Sequence, residues 1–252
     1  MADKKVAVVS GGSRGIGRAI VELLAAQGYR VLFTYVSRET DANATATAVG
    51  KAGGTAKALR ANVAEQPAAK LVASAALDAW GRIDVLVNNA GTHLPGVTLA
   101  DTPAAEWDRV LKTNLYGPYH LVQAVLPAMR AQKRGQIVSI SSNVTQRLPA
   151  SYGVYTVSKV ALEAFTRILA KEEGAHGIRV NAVAPGPIRT DMLAESLDKM
   201  GQDKAQAFVQ SVPLRRIGEP SEIAEVVAFL ASDAASYLTG QTVYVNGGGP
   251  GG

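Results

Sequence analysis

Residues 6–17 read VAVVSGGSRGIG, and this stretch decides how the rest of the chain is interpreted. Residues 6–10 are almost continuously apolar, which is typical of a strand buried on both faces of a sheet. Four of the seven residues between that strand and residues 18–27, which have the pattern of a helix, are glycine. Glycines at such a turn let the backbone approach a pyrophosphate, and the amino terminus of the helix offers unpaired N–H groups. The stretch therefore predicts a strand, an anion-binding turn and a helix.

The alternation of strand and helix continues to the end of the chain. Further strands are predicted at residues 30–35, 55–60, 83–87, 136–140, 179–183 and 241–245. Further helices are predicted at residues 38–50, 67–80, 102–130 with an interruption at Gly117-Pro118, 160–173, 192–210 and 221–232. This order argues for a parallel sheet with helices on both faces. We predict an α/β fold, a single Rossmann-type doubly wound parallel sheet of about seven strands, in one domain covering residues 1–252.

Composition excludes several classes of protein. The 252 residues are 47% apolar and 19% charged, which is typical of a globular domain. The lack of cysteine excludes a disulfide scaffold, a thiolate metal site and a cysteine nucleophile. The chain starts without a signal-peptide pattern, and no apolar run is long enough for a membrane span. The net charge of +5 is scattered, which argues against nucleic-acid binding. We expect a cytoplasmic protein that needs no membrane, nucleic acid or metal.

Residues 151–159 read SYGVYTVSK and contain a candidate acid. Tyr155 and Lys159 are four positions apart, so on a helix they lie on the same face. A free tyrosine has a pKa of about 10, and a lysine cation about 4 Å away would lower it by up to about three units. The pair therefore predicts a proton donor poised near neutral pH.

Polar residues also follow other predicted strands. Asn88, Asn89, Ala90 and Gly91 close the fourth strand, and Ser142 follows the fifth. In a parallel sheet the carboxyl ends of the strands meet at one edge, where ligands bind. Asparagine can fix a turn beneath a cofactor, and a serine hydroxyl can hold and polarise a carbonyl oxygen.

The end of the second predicted strand bears on the choice of nucleotide. An acid there would bind a ribose 2′-hydroxyl and favour NAD. Residues 34–38 contain no acid and end in Arg38, while Arg14 lies in the glycine turn. Since arginine can bind a phosphate through two hydrogen bonds, this pattern favours NADP over NAD.

The glycine turn has an alternative interpretation. Residues 11–15 also match G-x-S-x-G, the nucleophile elbow of serine hydrolases. Such an elbow needs earlier strands to place it in the middle of the sheet, and this turn follows the first strand. The third member of a triad would have to be His93, His120 or His176, and none has a supporting pattern nearby.

Taken together, these segments resemble the short-chain dehydrogenase/reductase family, of the NADP-preferring type. The match runs in order along essentially the whole chain, and Ser142 lies 13 residues before Tyr155, as in that family. The segments that carry the resemblance are residues 10–17, 88–91, Asn114, Ser142, 155–159 and 185–190. The third strand is followed by Asn62-Val63 where the family usually has an acid, which weakens the expected adenine contact at this position.

The resemblance implies a role for each matching residue. Tyr155 would be the general acid/base, Ser142 would hold the substrate oxygen, and Lys159 would bind ribose hydroxyls and lower the Tyr155 pKa. Asn114 would hold a water in a proton relay. The residues that would bind the cofactor are Gly11, Ser13, Arg14, Gly15, Ile16, Gly17, Tyr35, Ser37, Arg38, Asn62, Val63, Asn89, Ala90, Gly91, Tyr155, Lys159, Pro185, Gly186, Ile188 and Thr190.

The expected reaction is NADP(H)-dependent interconversion of a ketone or aldehyde with an alcohol, in a homotetramer. Within the family the chain is most similar to 3-oxoacyl-acyl-carrier-protein reductases, so the substrate would be a 3-oxoacyl thioester. A basic rim for the carrier protein is expected at Arg130, Lys133, Arg134 and Lys171. The pocket is expected to be lined by His93, Leu94, Val144, Gln146, Arg147, Tyr152, Met192 and a lid at residues 193–210. Polar residues in that set leave a sugar, polyol or xenobiotic ketone open as the substrate, and a non-catalytic NADP(H)-binding protein is the other class considered.

Overall fold

A computed structural model describes residues 4–249, and the seven strands of that part form one sheet. The strands are β1 (Val6–Val9), β2 (Arg30–Tyr35), β3 (Thr55–Arg60), β4 (Val85–Asn88), β5 (Gly135–Ile140), β6 (Ile178–Pro185) and β7 (Thr242–Val245). Their order is β3-β2-β1-β4-β5-β6-β7, and all pairs are parallel. The predicted fold class is confirmed. The signal-peptide prediction depends in part on residues 1–3, which lie outside the described part together with residues 250–252.

Helices connect the strands. They are α1 (Gly15–Ala26), α2 (Glu39–Lys51), α3 (Gln66–Trp80), α4 (Ala104–Leu111), α5 (Gly117–Gln132), α6 (Val144–Arg147), α7 (Gly153–Glu173), α8 (Asp191–Met200), α9 (Gln202–Ser211) and α10 (Pro220–Ala231). Within residues 4–249, no helix is long and apolar enough to cross a membrane.

The sheet is covered on both faces because successive strand residues point to opposite sides. In β1, Ala7 and Val9 pack with residues of α1, α2 and α10, whereas Val6 and Val8 pack with residues of α3 and α5. All four side chains are fully buried. This explains why the strand reads as a continuous apolar run rather than an alternating one.

Several predicted helix limits were wrong. The predicted break at Gly117-Pro118 lies one turn earlier, because a turn of π-helix spans Lys112–Tyr116 and α5 begins at Gly117. The single helix predicted at residues 192–210 is two helices, since Gly201 between them has a φ of +78°. Helix α6 was not predicted. Helix α7 begins at Gly153 rather than at residue 160, so Tyr155 lies in its first turn.

Strand order reverses beside β1. The chain proceeds from β1 outward to β2 and β3, then returns to place β4 on the other side of β1. The loops after β1 and β4 therefore leave the sheet in opposite directions, which opens a crevice at the carboxyl ends of these strands. The functional residues predicted from the sequence follow the strands on either side of this crevice.

Candidate active site

A cleft of about 600 Å³ lies at the carboxyl ends of the strands. Every residue predicted to bind the cofactor lines this cleft, and so does every predicted catalytic residue except Asn114. The lining includes Gly11, Ser13, Arg14, Gly15, Ile16, Gly17, Tyr35, Ser37, Arg38, Asn62, Val63, Asn89, Ala90, Gly91, Ser142, Tyr155, Lys159, Pro185, Gly186, Ile188 and Thr190. Asn114 lies behind this wall, fully buried. The fold therefore brings segments that are spread over residues 11–208 to one cavity.

The glycine turn at one end of the cleft is held closed by Asn89. The side-chain amide of Asn89 donates to the backbone oxygens of Ser10 and Gly11, both at 2.9 Å. Gly11 has a φ of +69°, and a Cβ on Gly17 would lie 2.0 Å from the Gly11 oxygen. The turn thus requires glycine at both positions, for conformation at one and for space at the other.

The turn presents an anion-binding helix end to the cleft. Arg14 is the N-cap of α1 and makes no side-chain capping bond, and no acid lies in the first turn. The first N–H groups of α1 are therefore free to bind an anionic group, aided by the helix dipole. This end of the cleft fits the pyrophosphate of a dinucleotide. Ser13 has no positive φ, unlike the strained nucleophile expected of a hydrolase elbow.

Ser142, Tyr155 and Lys159 meet at the other end of the cleft. The hydroxyl of Ser142 acts on the phenol of Tyr155, and the ring of His93 lies edge-on to that of Tyr155 with centroids 6.2 Å apart. Lys159 Nζ donates to the Ile140 oxygen at 2.7 Å and lies 5.7 Å from the centre of the Tyr155 ring. The predicted same-face arrangement of Tyr155 and Lys159 is present, with the serine beside the phenol.

The expected lowering of the Tyr155 pKa was wrong for the chain alone. Burial raises the pKa of Tyr155 above its ordinary value, and the hydrogen bond from Ser142 only partly opposes this effect. Lys159 does not oppose the effect, because it loses its charge at a lower pH than the one at which this phenol ionises. Burial also lowers the pKa of Lys159 to about 8, with the Glu163 carboxylate acting in the opposite direction. Desolvation therefore outweighs the charge–charge effect on which the sequence argument relied.

Asn114 is used as a structural clamp. Its Oδ1 accepts from the Thr92 N–H at 2.9 Å, and its Nδ2 donates to the Thr92 oxygen at 2.8 Å and to Ser158 Oγ at 3.0 Å. The π-helical turn that carries Asn114 aims this side chain at the loop after β4 and at α7. The amide thus joins three elements of the cleft, and its predicted place in a proton relay stays a prediction.

The two arginines predicted to read a 2′-phosphate face a common acid. Asp191, the first residue of α8, forms an ion pair with Arg14 and lies 3.7 Å from Arg38. Arg38 also pairs with Asp41 at 3.4 Å. All these side chains are about half exposed, so the pairs are weak and exchangeable. Arg14 after β1 and Arg38 after β2 thus lie beside the same carboxylate, and residues 36–38 between β2 and α2 contain no acid.

Two further residues predicted to bind the cofactor, Asn62 and Thr190, also form hydrogen bonds with residues close to them in the chain. The Asn62 side chain donates to Glu65 at 3.0 Å and accepts from the Ala64 N–H at 3.2 Å, which fits its status as the weaker adenine contact. Thr190 caps α8 by accepting from the Leu193 N–H at 3.3 Å. Both residues still line the cleft.

The substrate end of the cleft was predicted in part. His93, Val144, Arg147, Tyr152 and Met192 line it, whereas Leu94 and Gln146 do not. The segment predicted as a lid forms the two helices α8 and α9, which contribute Leu193, Ser196, Met200 and Phe208 to the wall of the cleft. Burial lowers the pKa of His93, and its Nε2 lies 3.4 Å from Ser196 Oγ.

The predicted basic rim is not at the mouth of this cleft. Arg130, Lys133 and Arg134 lie where α5 returns to the start of β5, and Lys171 lies where α7 returns to the start of β6. These positions are at the amino ends of the strands, opposite the cleft. Arg130 forms an ion pair with Glu173, and Arg134 forms one with Asp233. The expectation was wrong for a single chain because it considered charge without the direction of the helices.

Glu163 has no predicted role, although it lies one helical turn after Lys159. Its side chain is buried and accepts a hydrogen bond from Ser141 Oγ at 2.7 Å. A glutamate on the face of α7 that carries Tyr155 and Lys159, between apolar neighbours, was the signal available in the sequence.

Comparison with known proteins gives the family. A family model described as enoyl-(acyl carrier protein) reductase matches residues 11–249. The 3-oxoacyl-[acyl-carrier-protein] reductase FabG of Staphylococcus epidermidis is 39% identical over 244 residues, covering 97% of this chain and 98% of that protein. The short-chain reductase protein NovJ of Streptomyces niveus is 41% identical over 256 residues, covering 99% and 95%.

Solved structures agree with the sequence relatives. Levodione reductase superposes with a TM-score of 0.93 at 34% identity, covering 97% of this chain and 96% of that one. A blue fluorescent protein in complex with NADPH gives 0.88 at 37% identity, covering 97% of each chain. An NAD⁺-bound xylitol dehydrogenase gives 0.92 at 31% identity, covering 98% and 100%. Since these matches span nearly the whole chain, it belongs to the short-chain dehydrogenase/reductase family of oxidoreductases.

Proposed function

We propose that this protein is an NADPH-dependent carbonyl reductase whose residues 1–252 act as one catalytic domain. The observation that carries the proposal is the meeting of Ser142, Tyr155 and Lys159 in the same cleft as the uncapped amino terminus of α1. A protein that only bound the nucleotide would have no use for a phenol aligned with a serine hydroxyl. The two ends of the cleft thus serve one reaction.

The side chains divide the work of carbonyl reduction. When bound, a nicotinamide dinucleotide supplies the hydride that the carbonyl carbon accepts. The Ser142 hydroxyl donates a hydrogen bond to the carbonyl oxygen, and Tyr155 transfers its phenolic proton to that oxygen as negative charge develops there. Because burial raises the pKa of Tyr155, the phenol stays protonated through the neutral range, which suits reduction of a carbonyl better than oxidation of an alcohol.

The proposed nucleotide is NADP(H). Its pyrophosphate would bind the first N–H groups of α1, and its 2′-phosphate would bind Arg14 in the turn after β1 and Arg38 after β2. Lys159 would hold the ribose hydroxyls beside Tyr155. The FabG relative and the neighbour solved with NADPH support this assignment, and the NAD⁺-bound neighbour makes the comparison of both nucleotides necessary.

The proposed substrate is a 3-oxoacyl thioester, carried on an acyl-carrier protein or a smaller thiol. The lid offers apolar side chains for an acyl chain, namely Leu193, Met200 and Phe208. The FabG relative supports the same substrate class. A sugar, polyol or xenobiotic ketone is the second candidate, favoured by His93, Arg147 and Tyr152 in the same wall.

We also propose a cytoplasmic homotetramer. Two apolar surfaces lie on opposite faces of the sheet: Ile168, Val160 and Tyr116 on the side of α5 and α7, and Phe229 on the side of α10. Each of these side chains is between 39% and 56% exposed. Two separate surfaces that each pair with their own copy generate a tetramer of the common dihedral type.

The proposal is tested with Tyr155→Phe and a substrate panel. The panel contains acetoacetyl thioesters, a cyclic ketone and an open-chain sugar ketone, and NADPH consumption is followed by absorbance. The variant keeps the ring and loses the proton, so turnover should fall by about 10²- to 10⁴-fold while NADPH binding survives. Tyr237→Phe, at a fully exposed position outside the cleft, is the matched control and should leave turnover unchanged. Tight NADPH binding without turnover of any ketone would instead support a non-catalytic binder.

A further inference from the structure

A buried carboxylate lies beneath the proposed active site and has no part in the reaction as described. Glu163, on α7, is 5% exposed. One oxygen accepts from Ser141 Oγ at 2.7 Å, and the other accepts from the Tyr244 hydroxyl of β7 at 3.4 Å. Burying a carboxylate destabilises the folded protein unless hydrogen bonds or an opposite charge compensate for the lost hydration. Glu163 has two such partners, Ser141 and Tyr244, and its contacts indicate what it does for the site.

The contacts of Glu163 converge on the backbone that carries Ser142. Ser141 is the adjoining residue, and the Tyr244 hydroxyl lies 3.1 Å from Thr145 Oγ1. That threonine donates to the Ser142 oxygen at 2.9 Å. The carboxylate thereby joins α7 to the end of β5 and to β7, and the contact of Tyr244 with Thr145 extends these links to the backbone of Ser142.

Lys159 completes the arrangement from the same helix. Its ammonium donates to the Ile140 oxygen at 2.7 Å, so Lys159 and Glu163 bind successive residues at the end of β5. Burial lowers the pKa of Lys159 to about 8, and the Glu163 carboxylate limits that fall. Removing the carboxylate would leave a buried cation without a compensating charge.

We propose that Glu163 is a positioning residue that fixes Ser142 against α7 and holds a carboxylate one helical turn from Lys159, where both side chains bind the end of β5. The proposal rests on the proposed function, in which Ser142 and Lys159 contact substrate and cofactor. Glu163 itself touches neither, since the cleft is lined by its neighbours rather than by its side chain. Its effect must therefore pass through these two residues.

The titratable groups around Lys159 indicate which substitution should change its pKa. The titratable groups around it are Tyr155 and Glu163 on α7, Tyr152 before that helix, His93 beyond the Tyr155 ring and Tyr244 on β7. Among the described residues, Glu163 is the charged group that acts on the Lys159 pKa. Without it, the loss of the lysine charge should begin at lower pH.

The test uses NADPH affinity as a function of pH, followed by cofactor fluorescence, so that turnover is not needed. In Glu163→Gln, the alkaline loss of NADPH affinity should begin about one pH unit lower than in the wild type, a tenfold change in the proton equilibrium. Glu163→Asp keeps the charge and should restore the wild-type pH dependence. Glu172→Gln, an exposed glutamate on the same helix, removes the same charge and should change nothing.

A second measurement separates positioning from general instability. With a ketone that the wild type turns over, Glu163→Gln should lose kcat about tenfold more than it raises KM, because Ser142 acts on the developing charge. Tyr244→Phe keeps the carboxylate and should lose kcat without moving the pH dependence. The proposal is overturned if Glu163→Gln keeps the wild-type pH dependence, or if Glu172→Gln shifts it equally. If Glu163→Gln does not fold, a shifted pH dependence in Glu163→Asp or Tyr244→Phe overturns it as well.

Discussion

Lys159 is a charged residue that the fold accepts at a cost. Its side chain is 4% exposed, and burial lowers its pKa from 10.5 to about 8. In this interval of pH the unfolded chain binds more protons than the folded one, so stability rises as the pH increases through it. While Lys159 is protonated, its burial lowers the free energy of unfolding by about 3 kcal/mol. Most of this loss disappears by about pH 10.

This cost gives a prediction for Lys159→Met in the cofactor-free protein. The free energy of unfolding of the variant, minus that of the wild type, should fall by about 2–3 kcal/mol between about pH 7 and pH 10. Urea unfolding at fixed protein concentration measures the difference. Lys171→Met, at an exposed position near the end of α7, should give a difference that does not change with pH. A constant difference for Lys159→Met would contradict the buried-cation interpretation.

Gly17 gives a second prediction at this scale. A Cβ at this position would lie 2.0 Å from the Gly11 oxygen and 2.5 Å from Asn89 Nδ2, so the turn would have to open. Gly17→Ala should destabilise the protein by about 1–3 kcal/mol and weaken NADPH binding more than tenfold. The same change at Gly50 in α2 meets nothing within 4 Å and should stabilise by about 0.5–1 kcal/mol. Thermal unfolding and cofactor titration of both variants measure the contrast, and equal effects would refute the steric argument.

At the scale of elements, α8 is tied to the glycine turn by Asp191. Its carboxylate faces Arg14 and Arg38, the two cations proposed for the 2′-phosphate. The acid and the phosphate therefore compete for the same partners. Asp191→Asn should raise NADPH affinity about two- to fivefold, as expected for an exposed ion pair, and leave NADH affinity nearly unchanged. Titration of both nucleotides at low and high salt measures the effect.

The arginines supply the control for this competition. Arg38→Ala should weaken NADPH more than NADH, and Asp191→Asn should have a smaller effect when combined with it. Weaker NADPH binding in Asp191→Asn would show that the acid orients the arginines rather than competing for them. Equal loss of both nucleotides in Arg38→Ala would mean that Arg38 does not bind the phosphate.

The elements also show what the sequence could predict. The apolar run of β1 and the spacing of Tyr155 and Lys159 are local signals, and they were sufficient for the sheet and for the shared helix face. The raised Tyr155 pKa could not be predicted, because burial depends on segments far along the chain. The contacts of Glu163 could not be predicted for the same reason, since its partner Tyr244 lies 81 residues further along the chain. The predicted position of the basic rim was wrong because the charges in a sequence do not show at which end of the sheet those residues lie. That depends on the direction of the helices that carry them.

At the scale of the whole molecule, the two apolar surfaces predict how copies assemble. Ile168 is 56% exposed on α7, and Tyr119 of the neighbouring α5 packs edge-on against Phe165, so the two helices form one continuous surface. Phe229 is 44% exposed on α10, on the opposite face of the sheet. A glutamate in the centre of either surface would have to be buried without a partner, at a cost that an interface cannot absorb.

The wild type should therefore be a tetramer by light scattering after gel filtration. Ile168→Glu and Phe229→Glu should each give dimers, because each leaves the other surface intact, and the double variant should be a monomer. Leu71→Glu is the matched control, since Leu71 is 51% exposed on α3, outside both surfaces, and should remain tetrameric. A monomeric wild type would refute the assembly, and a dimeric Leu71→Glu would show that the contacts are placed elsewhere. The two dimers should differ in cofactor affinity only if a neighbouring copy supports the cleft, which the same titrations determine.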